Sequence, residues 1–474
     1  MRNKVTFNTV VQIGSRVLEL GSALFVNAWI ARHWGSEAFG QIGLYMSLSG
    51  VFIFMFDFGL GNLLIRTIAQ NRAQARHFVL NGLVALLPFS LLGSAAVIGI
   101  GVAITSSRNL GLLVLVALHL VLIAAFLLLR AAFHAYERME LESLSVLFER
   151  ACWIAAGVWL ALRPPSLVAF FTCFTLCKLL NVLVAGGLFI RHIRPHAERA
   201  VLRLATQWGL IKQTIPFGLS WAFDCINSSF NLLLLSHLVG GAEVGCYRAA
   251  GTLIAPLSFV AASLNSSLLP KMSEAASAQE KTLFCSYSEA ANRLILAAGI
   301  PLALFIILFA PAIIHTVYGA GFEQAVLLLQ LLSLAIPLRF LSQSVATTLL
   351  AGDQQARSMR CFGAAAAFNL AGNFVVLPHW GSVGACLVTI ATDLLVLILM
   401  SHQQGFSLGG KVIELSPALK CLAIACLVLI PLAWAGVPLL AAALIFALLY
   451  PLLLIRVKAL SAFETRLLWR PASL

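Results

Sequence analysis

At 474 residues the chain could form two or three soluble domains, yet 61% of it is hydrophobic, only 10% is charged, and its mean hydropathy is +0.96. Soluble proteins carry charge on about a quarter of their residues, so this composition excludes a soluble globular protein and marks an integral membrane protein. The net charge of +13 is mostly a matter of topology, as the loops show below, and does not point to nucleic acid.

Apolar stretches long enough to cross a hydrocarbon core of about 30 Å as a helix recur along the whole length. They predict an all-α protein of about fourteen transmembrane helices, at 8–30, 41–63, 79–104, 110–130, 144–162, 167–190, 213–238, 246–269, 287–311, 325–350, 359–377, 382–401, 417–434 and 438–455. The period-two alternation of a β-barrel is absent.

In the first span Asn8, Gln12, Ser15, Arg16, Glu19, Ser22 and Asn27 recur at steps of three and four, which places them on one helix face. Hydrocarbon penalises such a stripe heavily, so it is expected to look inward, to water or to other polar groups. Arg16 and Glu19 also have the spacing of an i, i+3 pair, and their charge argues against a cleaved signal peptide. The span ends in ARHWGSEAFGQIG (31–43), where Gly35 and Gly40 bracket Glu37. Glycines there suit a tight outer turn with φ > 0 and close helix approach. Glu37 suits the start of the next helix, where the dipole favours an acid.

Of the later buried bases, Arg150 follows Glu149 and is expected to pair locally or to snorkel. Lys178 shares a face with Thr172, Thr175 and Asn181 and is expected to point inward. A basic linker, 191–212, precedes the seventh span, whose Ser220, Asp224, Asn227, Ser228 and Asn231 repeat the polar stripe. VGGAEVGCYRAAG (239–251) then repeats the glycine elbow and brings in Arg248. Arg339, two residues after Pro337, sits in the middle of the tenth span, and Asp393 in the twelfth. HWGS returns at 379–382, again at an outer turn, which makes His33 and His379 punctuation and not metal ligands. Single polar residues such as Asn62, Asn265, Asn369 and Asn373 are expected to bond between helices, and the cysteines, mostly within spans, to pack as small apolar groups.

The loops on the side of the termini hold most of the Lys and Arg, while the opposite loops hold only Arg32, Arg108 and Arg163. The positive-inside bias therefore puts both termini in the cytoplasm. Shifting the chain by about 205 residues pairs Ser15 with Ser220, Glu19 with Asp224, Gly35 with Gly240 and Gly40 with Gly245. An offset of six helices gives a parallel repeat: an N-terminal lobe at 1–190, a cytoplasmic linker at 191–212, a C-terminal lobe at 213–402, and two extra helices with a tail at 403–474. The outer loops are short and there is no extramembrane domain to hold a catalytic site, so no enzyme is expected.

Several stretches in order resemble the polysaccharide flippases of the Wzx type (O-antigen, capsule or exopolysaccharide). These are HWGSEAFGQIGLYMSLSGVFIFMFDFGLGNLLIR, with its Asp57 to Leu60 element, then GGAEVGCYRAAG, YGAGFEQAVLLLQLLSLAIPLRFL (318–341) and PHWGSVGACLVTIATD (378–393). The resemblance implies the superfamily of multidrug, oligosaccharidyl-lipid and polysaccharide exporters. It implies a MATE-like fold of two six-helix lobes around a cationic cavity, with two C-terminal helices added. The implied activity is alternating access that turns a polyprenyl-pyrophosphate-linked oligosaccharide from the cytoplasmic to the periplasmic leaflet of the bacterial inner membrane.

On that reading Arg16, Arg339, Arg248 and Lys178 meet the pyrophosphate, since a guanidinium offers forked donors to paired oxygens. Asn8, Gln12, Ser15, Ser220, Asn227 and Asn231 line the path, and Glu19, Asp224 or Asp393 couple it to a proton or sodium gradient. No cofactor, metal or nucleic acid is expected; membrane lipids, a polysaccharide polymerase and chain-length machinery are the expected partners. The alternatives are a multidrug cation antiporter of the same fold, a lipid II flippase, and a membrane polymerase or ligase, which would need larger outer loops.

Overall fold

The structure is a computed structural model that describes residues 2–104, 109–193, 201–407 and 414–457, with 412, 459 and 464. The side chains of Asn8, Gln12, Asn62, Ser220, Asp224, Asn227 and Ser228 lie outside the described set. All regular structure among the described residues is helical, as the composition requires. Two compact units divide the chain, Met1–Gly245 and Cys246–Leu474.

The first unit holds α1 (Arg2–Asp57), α2 (Leu60–Gln70), α3 (Ala75–Ile104), α4 (Leu110–Ala135), α5 (Met139–Ala161), α6 (Leu167–His192) and α7 (Leu204–Leu238). α1 is two helices joined at Gly35, whose φ of 79° is the left-handed value expected there. Contacts trace the reversal. Glu19 reaches Arg150, Val26 packs on Gly157, and the Trp34 indole donates to the Leu160 and Arg163 carbonyls at 3.2 and 3.1 Å. After Gly35 the chain runs back: Gly40 meets Gly241, Gly50 meets Ser229, and Phe56 meets Gly93. Trp34, Phe56, Phe133, Phe170 and Phe171 anchor the core of this unit.

α1 stops at Asp57 because Phe58 and Gly59 both turn left-handed, with φ of 48° and 77°. The Asp57 carboxylate accepts the Gly61 N–H at 3.1 Å, satisfying a donor that the start of α2 leaves open. The strain at Phe58 is held by packing: its ring stacks on Phe89 at 5.4 Å and lies against Gly218 of α7.

The remaining helices are α8 (Gly241–Ile254), α9 (Ser258–Ser277), α10 (Lys281–Val317), α11 (Gln324–Ala351), α12 (Gln355–Ser407), α13 (Leu415–Trp434) and α14 (Leu439–Arg456). α12 is again a hairpin, reversing at Gly381 (φ 51°) within the second HWG word. Val376 packs on Gly384, Gly372 on Val388, and Asn369 donates to Thr392 at 3.1 Å. α13 and α14 dock on α10 through Phe309, Cys421, Ile424 and Tyr450, whose hydroxyl donates to the Ala297 carbonyl at 2.8 Å. Arg293 of α10 ties both ends of this pair, binding Glu414 before α13 and the buried Glu464 after α14, the latter at 2.8 Å.

Eleven helices among the described residues are long and apolar enough to cross a membrane. Two are the hairpins Gly14–Asp57 and Ala356–Gly405, and α7, with Ser229–Leu238 as its described apolar part, completes the fourteen crossings read from the sequence.

Glu137, Gln279 and Asp353 follow α4, α9 and α11 in left-handed conformation, with φ of 58°, 58° and 57°. Each is followed by an N–H that reaches back five residues to a helix carbonyl, as Glu280 does to Ala275 at 3.0 Å. Glycine usually holds this place, as Gly436 does after α13. Gln279→Gly is therefore expected to raise stability by about 0.5–1 kcal/mol, the relief at φ > 0 being partly offset by a freer unfolded chain. A thermal-unfolding scan of the purified protein in detergent reads this as a higher midpoint.

Candidate functional site

The predicted cationic residues fall into two groups. In the first unit Arg16 donates to Glu19 at 2.6 Å, which forms the i, i+3 pair, and the Arg16 side chain stays 53% exposed. The second oxygen of Glu19 accepts from Arg150 at 3.1 Å, so Arg150 spans from α5 to α1 and does not pair locally. Lys178 points into the first unit. It is buried, donates to Glu149 at 2.8 Å and stands 5.0 Å above the Phe126 ring. Ser15 is half-buried on the face of Arg16, and Asn231 is buried on α7.

In the second unit Arg339 donates to Asp393 at 3.0 Å. The Asp393 side chain is mostly covered while that of Arg339 remains 42% exposed. Arg339 stands twelve residues, about 18 Å, from the nearer end of α11. Arg248 is half-buried on α8 near Tyr318, whose hydroxyl donates to the Ala249 carbonyl at 3.1 Å.

One member of the first unit's polar interior escaped the sequence reading: His119, a lone histidine in an apolar helix, a pattern that usually means packing. Glu149 is read beside Arg150 in the sequence, and only the fold turns it toward Lys178. Asn181, one turn beyond Lys178, is fully buried and donates to the Ser145 carbonyl at 2.9 Å. A cavity of about 440 Å³ between the α9–α10 turn and the end of α11, lined by Lys281, Phe284, Gly352 and Asp353, contains none of the predicted residues. No three His, Cys, Asp or Glu side chains converge as metal ligands among the described residues.

An arginine exposed in the middle of an apolar helix cannot face lipid at low cost, so its open side marks contact with water or a polar ligand. Arg339 fits that description most sharply, and a guanidinium there is the side chain suited to an oxyanion.

A family model described as "Polysaccharide biosynthesis protein" matches residues 2–276. No curated protein matches the chain. Among solved structures, the lipid II flippase MurJ in an inward closed conformation aligns with a TM-score of 0.78 at 14% identity, covering 96% of this chain and 99% of its own. An inward-facing multidrug resistance MATE family transporter of the MOP superfamily aligns at 0.63 and 13% identity, covering 84% and 98%. A MOP superfamily transporter from Pyrococcus furiosus, titled for the reverse polarity of its binding pocket, aligns at 0.57 and 11% identity, covering 85% and 94%.

Proposed function

Because the chain belongs to the polysaccharide biosynthesis protein family, we propose that it flips a polyprenyl-pyrophosphate-linked oligosaccharide repeat unit from the cytoplasmic to the periplasmic leaflet of a bacterial inner membrane. The observation that carries this reading is Arg339, a partly exposed side chain twelve residues inside an apolar helix, ion-paired with Asp393. A pyrophosphate supplies the paired oxygens that such a guanidinium recognises, and arginine keeps its charge at any depth. Arg16 and Arg248 are the further ligands, and Ser15 and Asn231, with Asn8, Gln12, Ser220 and Asn227, face the sugars. The polyprenyl tail stays in lipid while the cargo path opens alternately to each side. A proton or sodium gradient drives the cycle through Glu19, Asp224 or Asp393.

Deleting the gene is expected to leave a sugar-bearing polyprenyl pyrophosphate on the cytoplasmic leaflet and to remove one surface polysaccharide, with growth preserved. Lethality with accumulated lipid II would instead select a lipid II flippase, the reading favoured by the likeness to MurJ. Drug sensitivity with unchanged glycan would select a cation antiporter. Absence of any accumulated lipid intermediate would overturn flipping altogether.

A further inference from the structure

In the second unit the turn from α9 to α10 and the turn from α11 to α12 are built alike. Gln279 and Asp353 are both left-handed, and in each turn the next N–H reaches back five residues, from Glu280 to Ala275 at 3.0 Å and from Gln354 to Leu349 at 2.8 Å. The cavity of about 440 Å³ lies between these turns, and pockets for small ligands run from about 300 to 1,000 Å³. Its buried lining is apolar, Phe284 and Ala275, while Lys281 from one turn and Asp353 from the other are exposed. Among the described residues neither Lys281 nor Asp353 forms an ion pair. Opposite charges that face one space without meeting suit a ligand that carries both signs.

The backbone sorts the two signs. α9 ends at Ser277 and α11 at Ala351, and both residues line the cavity. Two helix C-termini, each equivalent to about half a negative charge, therefore open there beside the Asp353 carboxylate. Their last carbonyls are acceptors that the helices themselves leave unused. α10 begins at Lys281, so the ammonium stands at a helix N-terminus, where the dipole favours an anion.

Depth narrows the source of such a ligand. The 28 residues of α11 span about 42 Å, the thickness of a bilayer with its headgroups, about 40–45 Å. The C-terminal end of α11, and the cavity with it, therefore lies at the level of lipid phosphates. Leu350, 42% exposed and next to Ala351, offers apolar surface to an acyl chain.

We propose that this cavity binds the headgroup of a phospholipid that carries a primary ammonium beside its phosphate, as phosphatidylethanolamine does. The ammonium meets Asp353 and the carbonyls that end α9 and α11, and the phosphate meets Lys281. A primary ammonium supplies three N–H donors for those acceptors, whereas a trimethylated choline supplies none. A glycerol headgroup has no cation and would bring only negative charge toward Asp353. The lipid so held ties together the ends of α9, α10 and α11. This site is independent of the cargo and of the flippase reading.

The test is native mass spectrometry of the full-length protein in detergent, titrated with dioleoyl phosphatidylethanolamine, phosphatidylcholine and phosphatidylglycerol. The first phosphatidylethanolamine is expected to bind about tenfold more tightly than either other lipid. Asp353→Asn and Lys281→Gln should each weaken it about tenfold. Asn tolerates the left-handed turn, so Asp353→Asn keeps the backbone. If it fails to fold, Asp353→Gly, which also suits φ > 0, should show the same loss. Phosphatidylethanolamine should raise the thermal-unfolding midpoint of wild type and of neither charge variant.

Equal affinity for the three lipids, or unchanged phosphatidylethanolamine binding in either charge variant, would overturn the proposal. Glycerophosphoethanolamine, the same headgroup without tails, should compete only at about a hundredfold higher concentration or more. Competition at the concentration of the lipid would assign the cavity to a soluble zwitterion and overturn the lipid site.

Discussion

Replacing Gly40 with alanine is expected to abolish polysaccharide export, while the same change at Gly240 leaves it near wild type. A Cβ on Gly40 would lie 1.8 Å from the Gly241 carbonyl oxygen and 2.8 Å from the Gly245 nitrogen, and one on Gly245 would lie 1.9 Å from the Ser36 oxygen. These neighbours are backbone atoms with no rotamer to yield. Ordinary contact begins at 3.4 Å, so at Gly40 the segments would have to part by about 1.6 Å. Overpacking of that size costs this conformation about 3 kcal/mol or more. Gly240 has nothing within 4 Å of an added Cβ, so it controls for the general effect of glycine replacement in the elbow. The checks are surface glycan on blots at matched expression and the thermal-unfolding midpoint in detergent. Equal activity of Gly40→Ala and Gly240→Ala would show that the two elbows need not touch during transport.

Arg339→Ala should remove most surface glycan at normal expression, and restoring charge balance should not bring it back. Removing the arginine leaves Asp393, largely covered, without its cation, which destabilises the fold by about 1–2 kcal/mol once the half-open position of the guanidinium is allowed for. Arg339→Ala/Asp393→Ala relieves that penalty, so its unfolding midpoint should return toward wild type while export stays lost. Arg339→Lys keeps a charge but not the fork, and intermediate export is expected. If the double variant recovers both stability and glycan, the pair is structural and the anion-ligand role fails. Arg16→Ala extends the test, and unchanged glycan in both single variants would dismiss the pyrophosphate contact in these two helices.

Most of the fold was legible because lipid imposes simple rules. Twenty apolar residues make a crossing, and glycine marks the places where a crossing turns back. The words HWG at 33–35 and 379–381 both end in a left-handed glycine, so punctuation was the right reading. The break after Asp57 was less legible, since no rule of composition puts Phe58 at φ 48°; packing on Phe89 and Gly218 holds it there. The charged residues divided in the same way. Arg16 with Glu19 is a local pair that spacing reveals. Lys178 with Glu149 joins residues 29 apart, and Arg150 with Glu19 joins residues 131 apart, so each depends on which helices become neighbours. A helical wheel can say that Lys178 points inward, but not that a carboxylate waits there.

The two glycine elbows have one more property. Under the shift of 205 residues, Ser36 becomes Gly241 and Gly40 becomes Gly245. The approach of Gly40 to Gly241 and that of Gly245 to Ser36 are therefore two equivalent contacts, each the image of the other under the shift. A patch that meets its own copy in this way is what a twofold axis generates between identical subunits, where residue i touches j and j touches i. At this turn the polypeptide carries, inside one chain, the isologous interface of a dimer. At the touching positions the two sides differ by one hydroxymethyl group, Ser36 against Gly241, and at neither Gly40 nor Gly245 is there room for even a methyl.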